Sequence, residues 1–113
     1  VTACPPRLVV GFEGTEIPRQ LTSLAARGWV AGVVIFARNL ASTPEWVALQ
    51  RALLGLFRDW TPIIAVDQEG GLVQRLKAPR IPEVAALPPM GRVAASLDVR
   101  GLEQLGFAMG SEL

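Results

Sequence analysis

Three short apolar runs constrain this chain more than anything else in it: "LVVGF" at 8–12, "GVVIFA" at 32–37 and "IIAV" at 63–66. They are rich in β-branched residues and barely alternate with polar ones, the pattern of strands buried on both faces in a parallel sheet. Parallel neighbours cannot be joined by a tight hairpin and need a crossover, usually a helix. The runs recur at roughly the 25–30-residue spacing of a βα unit.

The intervening segments read as those crossovers. In "TEIPRQLTSLAARG", Ile17, Leu21, Leu24 and Ala25 fall on one helical face, with Thr15 placed to cap the start and Gly28 to close the end in a left-handed conformation. "STPEW" opens the next helix: Ser42 and Glu45 have capping-box spacing, and Pro44 suits a first turn. Trp46, Leu49, Leu53, Leu56, Phe57 and Trp60 form its buried stripe. The prolines of "KAPRIPEVAALPPMG" (77–91) exclude a continuous helix and predict a loop over the strand ends. A last helix is expected after Asp98, with Leu102, Leu105, Met109 and Leu113 turned inward and Gly106 and Gly110 permitting close packing on a sheet.

The order β-α-β-α-β-loop-α defines an α/β fold with two architectures open to it, the start of a (β/α)₈ barrel or a compact doubly wound sheet. The chain has 113 residues, whereas a barrel needs about 200 or more. Under the barrel reading it therefore holds the first three βα units, and the barrel is incomplete on this chain. Hydrophobic residues make up 50% and charged residues 19% of the composition, which predicts a packed interior and not disorder.

Composition also removes whole classes of function. A net charge of +1 argues against a nucleic-acid or membrane-surface partner. The absence of histidine excludes His-based general catalysis and the common His metal sites from this chain. Cys4 is the single cysteine, so no internal disulfide forms. The start, "VTACPPRLVV", is not an intact secretory signal. No apolar run approaches the roughly 20 residues of a membrane span. These features lead us to expect a soluble, cytoplasmic protein.

Ligands of both architectures bind at the carboxyl ends of the parallel strands. That rule points to "FEGTE", "ARN" and "DQEGG", where each apolar run stops in polar or charged residues. Three such ends in register suggest a shared polar pocket. Asp67 suits a bidentate grip on vicinal sugar hydroxyls. Gly70 and Gly71 permit a tight turn, and Arg75 brings a planar fork of donors. The competing account makes Asp67 or Glu69 a structural ion-pair partner of Arg75 or Arg38. Asp67 and Glu69, two residues apart on extended chain, share a face, as an acid–base or Mg²⁺ pair would require, although Asp-x-Glu is a common pairing. Arg38 and Asn39 divide between pocket residues and structural ones. Glu13 reads as a solvated loop acid, and the tryptophans as core residues on or beside helices.

"GVVIFARN" followed by "IIAVDQEGGLVQRL" resembles the amino-terminal domain of family 3 glycoside hydrolases, and most of all the bacterial β-N-acetylhexosaminidase branch. The likeness runs from "GFEGTE" through "RIPEVAALPPMG" to the last helix. It implies that residues 1–113 are the amino-terminal part of a (β/α)₈ barrel and that the mechanism retains configuration through a covalent glycosyl-enzyme. Asp67 and Arg75 are then substrate-binding residues, and the substrate is a saccharide containing N-acetylglucosamine, released from peptidoglycan or chitin fragments. The resemblance implies no metal and no organic cofactor. The family's Lys-His motif after a fourth strand, its His-Asp acid/base pair and its late nucleophilic aspartate are expected beyond this chain, which has no histidine and no catalytic residue assigned. Leu72 stands where many relatives carry arginine, so a second basic contact is missing from the pattern.

Two other functions compete with this one. A partial parallel sheet exposes strand edges and apolar faces, which favours a homo-oligomer or a fragment that completes another chain. A nucleotide- or Mg²⁺-binding domain fits poorly, because the chain lacks a Walker lysine and a GxGxxG turn and sets acids where phosphate would bind.

Overall fold

A computed structural model describes residues 6–112; Cys4 and Leu113 lie outside the described residues. Strands β1 (Leu8–Val10), β2 (Val30–Ile35) and β3 (Ile63–Val66) form a parallel sheet in the order β1-β2-β3. Helices α1 (Arg19–Ala26) and α2 (Thr43–Leu56) are the crossovers. The α/β reading and its three βα units are borne out. Burial on both faces holds for the central strand alone: Val30, Val33 and Ile35 of β2 are essentially inaccessible, whereas Leu8 and Ile63 on the edge strands are 60% and 54% exposed.

The helix ends follow local chemistry. α1 terminates in paired bonds, Gly28 N–H to the Ala25 carbonyl at 2.9 Å and Trp29 N–H to the Leu24 carbonyl at 3.1 Å. Gly28 sits at φ +68, where a side chain would be strained. Its start departs from expectation. The N-cap is Pro18, which has no side-chain acceptor, and Thr15 lies in the preceding bend. The extended conformation of Pro18 sets the helix start three residues beyond the reach of that hydroxyl. α2 begins as predicted at Ser42, whose hydroxyl oxygen accepts from Glu45 N–H at 3.4 Å and donates to the Glu45 carboxylate at 2.6 Å. Such a cap is worth about 1 kcal/mol.

Val33 and Ile35 of β2 pack with Leu21, Trp46, Leu49 and Leu53 in one apolar core that also takes in Leu76 and, from the proline-rich segment, Ile81. Thr43 donates to the Glu83 carboxylate, tying this segment to α2. That bond, followed by a backbone bond at Glu83 itself, holds the carboxyl below its usual range. Trp29 is 57% exposed, contrary to its expected place in the core, because it follows the glycine that ends α1 and faces outward before β2 begins.

Two features beyond β3 depart from the sequence reading. An antiparallel pair, β4 (Gln68–Gly70) and β5 (Val73–Gln74), that the sequence reading did not expect stands between β3 and the proline-rich loop, and a short helix α3 (Met90–Ala94) follows the prolines. The final helix α4 (Val99–Glu112) forms and is capped by Asp98, whose Oδ1 accepts from Gly101 N–H at 2.8 Å. It does not face inward. None of its described residues is buried, Leu102 is 39% exposed, and Phe107 is 80% exposed. A side chain built at Gly106 or Gly110 meets nothing within 4 Å, so these glycines make no close packing on the sheet. An amphipathic helix buries its stripe only where a neighbour offers a matching surface, and this sheet ends at β3.

Candidate site at the carboxyl ends of the strands

Parallel pairing brings the three predicted strand ends to one edge of the sheet. Register pairs Val10 with Val33 and Ile35 with Val66, so Phe12, Phe36 and Asp67 follow at the same end. The first two ends are stitched together. Asn39, in a 3-10 turn over Ala37–Asn39, donates from Nδ2 to the Phe12 carbonyl at 3.0 Å and the Gly14 carbonyl at 2.7 Å, and its Oδ1 accepts from Phe36 N–H at 2.9 Å. Only 2% of Asn39 is exposed, so its amide is spent within the fold and offers nothing to a ligand. Arg38 donates to the Phe12 carbonyl at 3.0 Å and pairs with Glu13 at 3.0 Å, with its guanidinium lying over the Phe36 ring. Both residues therefore take the structural role. Glu13 is exposed but paired.

The third end differs. Beyond Val66 the chain stays extended, and burial alternates: Asp67 half-buried, Gln68 buried, Glu69 exposed. Successive side chains of extended backbone point to opposite sides, so the two acids stand on the open side and the amide on the covered one. Gly70 and Gly71, at φ +80 and +59, reverse the chain into β5. A Cβ on Gly70 would stand 2.3 Å from the Pro88 carbonyl oxygen, so the turn needs glycine for contact as well as for conformation. The return strand delivers Arg75 to Asp67, with Nη2 and Oδ2 3.5 Å apart. The acid and the guanidinium are 45% and 28% exposed.

Residues missed by sequence reasoning hold this arrangement. Gln68 and Gln74 are 8% and 3% exposed and fully engaged. Gln68 accepts at Oε1 from Arg75 and Leu76 N–H at 3.0 and 3.1 Å and donates to the Leu76 carbonyl at 3.0 Å. Gln74 donates to the Leu76 and Ala85 carbonyls at 3.2 and 2.6 Å and accepts from Leu87 N–H at 2.9 Å. The proline-rich segment is thus pinned over the hairpin, with Gly71 N–H bonded to the Leu87 carbonyl at 2.7 Å. The signal available was two glutamines flanking a polar turn that itself carried stronger charges. Leu72, at the tip, is 95% exposed. Among the described residues no group of three or more His, Cys, Asp or Glu stands together as a metal site. A cavity of about 790 Å³ lined by Trp29, Trp60 and Ile63 lies at the opposite, amino end of the strands.

No protein-family model matches the chain. The Beta-hexosaminidase of Alkalilimnicola ehrlichii is 38% identical over 112 residues, covering 94% of this chain and 31% of that protein. The Beta-hexosaminidase of Xylella fastidiosa strain 9a5c is 42% identical over 91 residues, covering 78% and 25%. These likenesses support a partial amino-terminal domain of the family 3 glycoside hydrolases. Solved structures agree in fold. NagZ from Neisseria gonorrhoeae, crystallised with N-trifluoroacetyl-D-glucosamine, superposes on this chain with a TM-score of 0.70 at 23% identity, over 86% of this chain and 27% of that one. A fungal multi-domain GH3 beta-N-acetylglucosaminidase matches at a TM-score of 0.57 and 29% identity, over 60% and 8%. The chain spans about a third or less of the length of these proteins. Its parallel sheet and alternating helices are the first βα units of a TIM barrel.

Proposed function

We propose that residues 1–113 are the amino-terminal part of the barrel of a retaining β-N-acetylhexosaminidase, and that they supply part of the wall that binds the sugar. The substrate is a saccharide with a terminal N-acetyl-β-glucosaminide, drawn from peptidoglycan or chitin fragments. The setting is cytoplasmic peptidoglycan recycling. Among the described residues no helix is long and apolar enough to cross a membrane. The relatives are named for the activity.

The observation that carries the reading is the pairing of Asp67 with Arg75 at the carboxyl end of β3. A pair this exposed contributes about 0–1 kcal/mol to stability, too little to explain why a glycine turn and two buried amides are spent on forming it. It suits a ligand better. The half-exposed carboxylate accepts from two sugar hydroxyls, and the guanidinium donates to a further oxygen. Asp67 and Arg75 bind and orient. Proton transfer and attack on the anomeric carbon, which retaining glycosidases divide between two carboxyl groups, belong to residues outside this chain.

The test is Asp67→Ala in the full-length gene product, assayed with a chromogenic N-acetyl-β-glucosaminide. Hydrogen bonds to a charged group are worth about 1.5–3 kcal/mol each, so losing two lowers kcat/KM at least about a hundredfold. Turnover and KM like those of the unaltered enzyme would refute the role.

A second reading rests on a different observation. The outer edges of β1 and β3 have no strand partner among the described residues, and apolar side chains line both. That favours association of the 113-residue chain with a second copy or a complementing fragment.

A further inference from the structure

We propose that Gln68 is the positioning residue of the Asp67–Arg75 pair, acting through the backbone from which Arg75 reaches its partner. The inference rests on the sugar-binding reading above and deepens it. The β4–β5 ladder pairs Gln68 with Gln74 and Gly70 with Val73 and stops there. Arg75 and Leu76, the next two residues, receive their hydrogen bonds from a side chain instead. The Gln68 amide accepts from both of their N–H groups and donates to the Leu76 carbonyl, all within 3.1 Å. It therefore extends the ladder past the last paired residue and fixes the backbone of Arg75.

Fixing that backbone sets the guanidinium, because little else does. The Nε of Arg75 is buried and has no hydrogen-bond partner among the described residues, and the contact with Asp67 is long at 3.5 Å. An arginine held only by such a contact would sample many rotamers. Gln68 also follows Asp67 directly, so one dipeptide presents the acid on the open side and locks the return strand on the covered side. The chemistry is specific to glutamine at this position. Glutamate keeps both acceptor contacts but has no donor for the Leu76 carbonyl, and alanine leaves two N–H groups without partners and that carbonyl with Gln74 alone.

Gln68→Glu and Gln68→Ala in the full-length gene product test this, each alone and in an Arg75→Ala background. The readouts are folded fraction, kcat, KM and the inhibition constant of N-acetylglucosamine. Misplacing a binding group costs about tenfold to a hundredfold. We expect KM and the inhibition constant to rise by that factor in correctly folded protein, with no further rise once Arg75 is gone. A residue that serves only the fold lowers the active fraction and leaves both constants unchanged; that result overturns the proposal. So does an equal penalty with and without Arg75, or failure of both variants to fold. Asp67→Ala measured alongside separates the two levels. If it is impaired while folded Gln68 variants bind normally, the positioning role alone fails. If Asp67→Ala itself behaves like the unaltered enzyme, the sugar-binding reading falls and takes this one with it.

Discussion

Arg38, Asn39, Asp67 and Arg75 all stand at strand ends and were indistinguishable by residue type, yet the fold divides them cleanly. Asn39 is buried with three hydrogen bonds to backbone, and Arg38 is occupied by Glu13 and a carbonyl. Among the described residues the side chains of Asp67 and Arg75 have only each other and remain partly open. An amide and a guanidinium serve a ligand or a backbone equally well, and what selects between them is the set of groups nearby. Asn39→Ala should therefore act on stability rather than on substrate binding. It leaves the Phe36 N–H without its partner and the Phe12 carbonyl with Arg38 alone, at about 1–3 kcal/mol for the unpaired group. The expected outcome in the full-length gene product is a urea midpoint lowered by the equivalent of about 1–3 kcal/mol, with KM of the surviving enzyme unchanged. A raised KM at unchanged midpoint would return Asn39 to the site.

At the scale of elements, periodicity and capping residues located β3 to the residue, β2 within two residues, and α1 and α2 apart from the start of α1. Ser42 and Gly28 act as read, because caps depend on neighbours a few positions away. The hairpin of β4 and β5 escaped notice, since its five residues contain no apolar alternation and its turn looked like a ligand loop. The last helix was found and its surroundings misjudged. Its apolar residues Leu105 and Met109 are only partly covered, and Gly106 and Gly110 face open space. A glycine in an exposed helix interior costs about 0.5–1 kcal/mol relative to alanine. Gly106→Ala with Gly110→Ala should then raise the helicity and thermal midpoint of the 113-residue chain, measured by circular dichroism. A fall in midpoint means instead that this face packs closely against something.

At the scale of the whole molecule, surface is left over. The radius of gyration is 16.3 Å, with extents of 51 × 34 × 19 Å, whereas a compact domain of this length has a radius of about 13 Å. The accessible surface is 7683 Å², against roughly 6,000 Å² for a compact monomer of this mass. The excess resembles the total area buried in a standard protein interface, about 1,600 Å². It follows the uncovered face of α4 and the outer edges of β1 and β3. Sedimentation of the 113-residue chain should show mass rising with concentration. Ile63→Lys, which sets a charge on the β3 edge, should reduce that rise. A monomer that unfolds cooperatively at every concentration contradicts this expectation.

Sequence by itself determined the parallel α/β order, its two crossover helices with the start of α2 and the end of α1, and the polar stretch after β3 in which Asp67 and Arg75 occur. These follow from pattern and from neighbours within a few positions, as strand burial and capping are local or periodic properties. Only the tertiary structure decided which strand-end residues bind each other. Whether Arg75 meets Asp67, whether Asn39 is spent on carbonyls and whether α4 finds a surface all depend on residues far apart in the chain. Such contacts are set by the pairing of β2 with both of its neighbours and by the two buried glutamines that hold the hairpin in place. Hydrogen-bonding capacity is fixed by residue type; the partner that uses it is fixed by the fold.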